Sequence, residues 1–163
     1  MIETIKSAEF SECGNYRFVL RRDWGFTERP VAMCIGLNPS KANSEKDDAT
    51  IQILVRSLNH LGFGGLRMVN LYSYISTQPK RLFEVSDSLA GNDAWLLTTA
   101  FGCQEIIFCW GDFKRIEHRA KKVVGMFPNG KCFGKNASGS PLHPMAIMWQ
   151  GIKKEELKLI PYA

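Results

Sequence analysis

The stretch that decides the fold is VAMCIGLNPSKANSEKDDATI, residues Val31–Ile51. It opens with a continuous apolar run of strand length, the pattern of a strand covered on both faces. The run stops at Asn38-Pro39-Ser40. Pro39 lacks an N–H and has a fixed φ, so it sharpens the exit from the strand. A polar loop follows. Asp47 and Asp48 then stand where a helix N-cap belongs. Beyond them Ile51, Leu54, Val55, Leu58 and Leu61 fall on one helical face. The stretch therefore predicts a buried strand that delivers an asparagine and a proline to its carboxyl end, then turns into an amphipathic helix.

The same alternation continues outward. Upstream, TIKSAEFSE and NYRFVLRRDW flank Cys13-Gly14-Asn15, which predicts an antiparallel hairpin. Downstream, LRMVNLYSY and EIIFCWG are further strands, and KCFG is a short fourth core strand. Helices are expected over 92–101, with Ala94, Leu97, Ala100 and Phe101 inward, and over 113–126. NASGSPLHPMAIMWQ reads as loop with some helix. Strand, helix and strand in succession imply an α/β fold with parallel pairing and helices on both faces. The expectation is a three-layer α/β/α sandwich: a mainly parallel four-stranded central sheet plus an N-terminal β-hairpin. With 163 residues and neither repeats nor linkers, 1–163 reads as a single domain.

Composition narrows the function classes. Hydrophobic residues make 45% and charged residues 23% of the chain, as in soluble globular proteins. No apolar run approaches the roughly 20 residues that span a bilayer, and the N-terminus lacks the pattern of a signal peptide. No membrane partner is expected. The five cysteines lack paired metal spacing and suit reduced thiols in the cytoplasm. No metal or other cofactor is expected. The net charge of +5 permits nucleic-acid binding without requiring it.

In parallel sheets ligands bind beyond the carboxyl ends of the strands. Four segments should gather there: Gly36-Leu37-Asn38-Pro39-Ser40; Asn70 with Tyr72, Ser73 and Tyr74; Trp110-Gly111-Asp112; and Ser140-Pro141-Leu142-His143-Pro144. The amides of Asn38 and Asn70 can each donate and accept, a pattern that suits an ordered water or a base edge. His143 can donate to a departing base. Asp48 can act on water, or merely cap a helix. Tyr72, Tyr74 and Trp110 are candidate stacking surfaces. Lys114, Arg115, Arg119, Lys121 and Lys122 form a basic helix face able to follow phosphates. His60 and His118 are expected at the surface.

GLNPS, VNLYSY, FCWGD and the late His-Pro, in that order, resemble the loops of the uracil-DNA glycosylase superfamily. The resemblance implies that Asn38 holds the attacking water, Asn70 reads the base and His143 stabilises the leaving base. Asp48 joins the catalytic set, with Gly36, Pro39, Ser40, Asn70, Tyr72 and Trp110 binding substrate. The last loop, His143-Pro144-Met145-Ala146, lacks the Ser-Pro that penetrates the duplex in repair members. Single-stranded or modified DNA, or a free nucleotide, is therefore the implied partner. Longer stretches, YRFVLRRDWG, GLNPSKANSEKDDATI, GFGGLRMVNLYSYISTQPKRL and SGSPLHPMAI, resemble a bacterial and phage family catalogued as domain of unknown function 1643. The expected function is nucleobase or nucleic-acid binding, extending to hydrolysis of an N-glycosidic bond. Two alternatives stay open: a base-binding accessory module without turnover, and a small-molecule hydrolase or transferase using Asp47 or Asp48.

Overall fold

The computed structural model describes residues 3–25 and 28–163. Seven strands form one sheet: β1 (Ile5–Phe10), β2 (Arg17–Asp23), β3 (Val31–Gly36), β4 (Gly65–Asn70), β5 (Glu105–Phe108), β6 (Lys131–Cys132) and β7 (Ile160–Pro161). Their spatial order is β1-β2-β4-β3-β5-β6-β7. Among the described residues four α-helices accompany them: α1 (Ala49–His60), α2 (Asn92–Phe101), α3 (Glu117–Met126) and α4 (Pro144–Trp149). The protein is a mixed α/β fold.

The sheet is larger and more mixed than the four strands expected. β3 pairs in parallel with β4 and β5, and β5 with β6. The hairpin β1–β2 is not an appendage. β2 joins the sheet by antiparallel pairing with β4, Leu20 opposite Met68. A C-terminal strand that the sequence analysis missed, β7, closes the other edge antiparallel to β6. Two residues are too few to produce a readable alternation, which is why β7 escapes a periodicity argument.

Successive strand residues point to opposite faces, and two cores result. Leu20, Cys34, Leu66, Met68 and Ile107 face Ile51, Leu54 and Leu58 of α1 and Ile147 of α4. Val19, Met33, Ile35, Val69 and Phe108 face Leu96 of α2 and Val123 of α3. Leu54 and Leu58 are fully buried. Each contributes roughly 1.5–3 kcal/mol by leaving water.

Two helices differ from expectation. α2 presents Asn92, Trp95 and Leu96 inward, while Ala94, Leu97 and Phe101 face solvent, Phe101 being 92% exposed. The reason is chemical. The Asn92 amide donates to the Asn70 carbonyl at 2.7 Å, and the Trp95 ring stacks on Phe18 at 5.0 Å. Those two contacts outweigh the apolar stripe. α3 begins at Glu117, not at position 113. That leaves Phe113 outside the helix and 38% exposed.

Candidate functional site

β3 and β4 end with Gly36 and Asn70 side by side in register. By strand alternation Cys34 and Gly36 face the α1 side, as do Met68 and Asn70. A cleft of about 310 Å³ opens at this edge. Its walls include Gly36, Asn38, Pro39, Ser40, Asp48, Asn70 and His143, so residues from three of the four segments meet around one space. The third segment flanks it through Cys109 and Phe113.

Gly36 is required by close approach. A Cβ there would stand 2.6 Å from Met68 Cε and 2.9 Å from Asn70 Oδ1. Gly111 is required by conformation. Its φ is +84°, and an added Cβ would press on His143 at 3.2 Å. The glycine lets the third and fourth loops touch, with the Gly111 amide donating to the Pro141 carbonyl at 3.1 Å.

Asn70 is 2% exposed, yet neither its Oδ1 nor its Nδ2 has a hydrogen-bond partner. Buried amides are almost always paired. Asn38 is different. Its Nδ2 donates to the carbonyls of Ser76 at 2.8 Å and Pro39 at 3.1 Å, pinning two loops together. Only its Oδ1 remains available to a ligand or water.

Asp48 caps α1, its Oδ1 accepting from the Ile51 amide at 3.0 Å. Its Oδ2 accepts from Ser40 Oγ at 3.4 Å. The neighbouring Asp47 does not line the cleft. It binds Arg22 Nε at 2.7 Å and Lys6 Nζ at 3.3 Å, holding the loop against the hairpin.

His143 caps α4. Its Nδ1 accepts from the Met145 amide at 3.1 Å, which assigns the proton of the neutral ring to Nε2. Burial lowers its pKa below 6.5, and the Asp48 carboxylate only partly opposes this. His143 is therefore a neutral donor at pH 7.

Sequence reasoning missed Arg17. It is 3% exposed and lines the cleft; its Nη1 donates to the Ala42 carbonyl at 2.9 Å. Burial lowers its pKa to about 10, against the pull of Asp48, so it stays charged at pH 7. Phe18-Val19-Leu20 is apolar without alternation, so both faces of that strand are covered, but this does not single out Arg17 from Arg21, which is part-exposed at the other end of the same run.

Two expected binding residues lie elsewhere. Tyr72 is 7% exposed and packs edge-on against Phe83 in the α2–α3 core. Trp110 is 1% exposed between Phe108 and Tyr162, on the wall of a neighbouring cleft of about 540 Å³. Neither reaches the Asn70 cleft. The aromatic residue that does line it is Phe113, which both clefts share. The expected basic helix face is broken up: Lys114 and Arg115 precede α3, and two of the remaining cations are spent. Arg119 is buried and pairs with Asp93 at 2.6 Å, Lys122 pairs with the same carboxylate, and Arg115 lies over the Phe83 ring. His60 and His118 are exposed, away from the cleft. Among the described residues, no three metal-ligating side chains come together, and no helix is long and apolar enough to cross a membrane.

Compared with known families, residues 17–145 match the profile described as "Protein of unknown function (DUF1643)". The chain belongs to the DUF1643 family. The matched span runs from Arg17 to Met145, so every cleft residue discussed here falls within it. No curated protein and no solved structure matches the chain.

Proposed function

We propose that this cleft takes a nucleobase and hydrolyses the N-glycosidic bond that holds it, as members of the uracil-DNA glycosylase superfamily do. One observation carries the proposal. Asn70 lines the cleft and leaves both amide atoms without a partner under a thin cover, so a ligand that displaces that cover meets an acceptor and a donor suited to a base edge. The parallel run β4-β3-β5-β6 supports the same reading, because it carries the strand ends to one edge.

The chemistry needs a nucleophile and a stabilised leaving group. Water adds to the anomeric carbon while the C–N bond breaks and its electron pair leaves with the base. The Asp48 carboxylate takes the proton that the water loses and stabilises the cationic sugar as it forms, while Asn38 Oδ1 accepts a hydrogen bond that orients the same water. His143 Nε2–H donates to the departing base, a task that a neutral imidazole performs at pH 7. Phe113, part-exposed and lining the cleft, is the aromatic side chain available to pack against the base. Extruding a base from a duplex costs a few kcal/mol, so free nucleotides and single strands are the favoured partners.

The test is release of free base, read by chromatography, from nucleotides and from single strands containing uracil or modified bases. Wild type should release base, and His143→Ala and Asn38→Ala should each be slower by about 100-fold. No release and no Asn70-dependent binding across the panel would end the proposal. A second reading, base binding without turnover, draws on Asn38. Its Nδ2 is already committed to loop carbonyls. Asn70-dependent binding with no product would select it.

A further inference from the structure

Among the described residues three arginines are buried: Arg17 at 3%, Arg22 at 0% and Arg119 at 6% exposure. Two have carboxylates. Arg22 meets Asp47 at 2.7 Å and Arg119 meets Asp93 at 2.6 Å. Arg17 has none within 4 Å among the described residues, and its Nε is buried without a partner. A buried charge without a counter-ion is costly, and proteins keep one where something else supplies the opposite sign. Arg17 lines the same cleft as Asn70.

We propose that Arg17 is the seat of a phosphate, and that the ligand of this cleft is a nucleoside monophosphate, its base on Asn70 and its phosphate on Arg17. This rests on the base-binding reading of Asn70. A guanidinium presents a planar fork of donors that fits phosphate oxygens two at a time. Asp48 shares the cleft and repels any anion in proportion to its charge, so selection falls to oxygens that fit the guanidinium fork. A phosphate monoester brings three unesterified oxygens and about −1.5 to −2 charges near pH 7. Thr50 adds a hydroxyl along the wall, and Lys41 adds a second, exposed cation. A singly charged internal phosphodiester of a polynucleotide is the weaker match.

Calorimetry on the full chain at fixed ionic strength tests this. The probes are the deoxynucleosides of uracil, thymine, cytosine, adenine and guanine, their 5′-monophosphates, short single-stranded oligonucleotides, and inorganic phosphate. At least one monophosphate should bind at least 10-fold more tightly than its nucleoside. Arg17→Gln should erase that gain, and Arg17→Lys should restore part of it. Equal affinity for nucleoside and monophosphate, with binding still lost in Asn70→Leu, overturns the phosphate seat and leaves the base reading intact. Phosphate binding that depends on Arg17 while no base adds affinity overturns the base reading and with it the nucleotide. Tighter binding of oligonucleotides than of any monophosphate overturns the monoester assignment. Should the Arg17 variants fail to fold, a pH series still decides. Because His143 of the same cleft also takes up a proton below pH 6.5, the pH series is run in His143→Asn: there the monophosphate's advantage should shrink as pH falls through about 6, where the monoester takes up a proton, and a constant advantage contradicts the proposal.

Discussion

Asn70→Leu replaces a buried amide with a side chain that branches at the same carbon and asks for no hydrogen bonds. In the free protein Oδ1 and Nδ2 both lie buried and unpaired. Each such atom costs about 1–3 kcal/mol. Leucine is bulkier, and Met68 Cε and Gly36 crowd the position from one side. That crowding takes back about 1–3 kcal/mol. Taking the middle of each range, about 4 kcal/mol for the two atoms against about 2 kcal/mol for crowding, the free protein should be more stable by about 2 kcal/mol. At 163 residues this raises Tm by about 2–4 °C per kcal/mol. The main-chain contact to Asn92 does not involve the side chain and is unchanged. The same variant should lose ligand binding, since nothing remains to pair with a base edge. Urea melts of wild type and variant measure the first effect, and ligand-induced shifts in Tm measure the second. A variant less stable than wild type by more than about 1 kcal/mol would show that the amide is satisfied in the free protein, and the argument from Asn70 would fail.

Other substitutions separate architecture from chemistry. Asp47→Ala strands the fully buried Arg22 and should cost about 3–5 kcal/mol in a urea melt, although Asp47 lies outside the cleft. Asp48→Asn keeps the α1 cap and should leave stability within about 0.5 kcal/mol while abolishing base release; Asp48→Ala should lose about 1 kcal/mol as well. His143 has a depressed pKa in the folded state, so the unfolded chain binds the extra proton first. Its contribution is complete above pH 6.5 and is lost as pH falls through the lower folded value. Urea midpoints measured below pH 6.5 should therefore decline less in His143→Asn, which retains a capping side chain. Gly36→Ala should block ligand binding, because the new methyl displaces Asn70 Oδ1.

Much of this site is written in local contrasts. Asn38 and Asn70 are visible because each interrupts an apolar run at a strand end, and His143 because two prolines bracket it. What escaped depends on partners far along the chain. Arg17, Arg21 and Arg22 look alike in sequence, yet Arg22 finds Asp47, Arg21 finds Glu9, and Arg17 finds the cleft. Tyr72 and Trp110 sit in the expected loops, but packing against Phe83 and Tyr162 turns both rings into the opposite core. The inward face of α2 was decided by Asn92 bonding to the Asn70 carbonyl, 22 positions away. That bond ties the helix to the strand end that carries the site. The hairpin's place in the sheet was similarly non-local, because only its pairing with β4 sets it.

The most direct measurement is on the Asn70 amide itself. Its ¹⁵N–¹H₂ side-chain resonances can be assigned by their loss in Asn70→Leu and followed while nucleoside 5′-monophosphates are titrated into the labelled protein. The account predicts that these resonances shift with the binding isotherm and that their hydrogens exchange more slowly in the complex. Ligand binding that leaves them unmoved, or their failure to respond to any nucleotide, would contradict it.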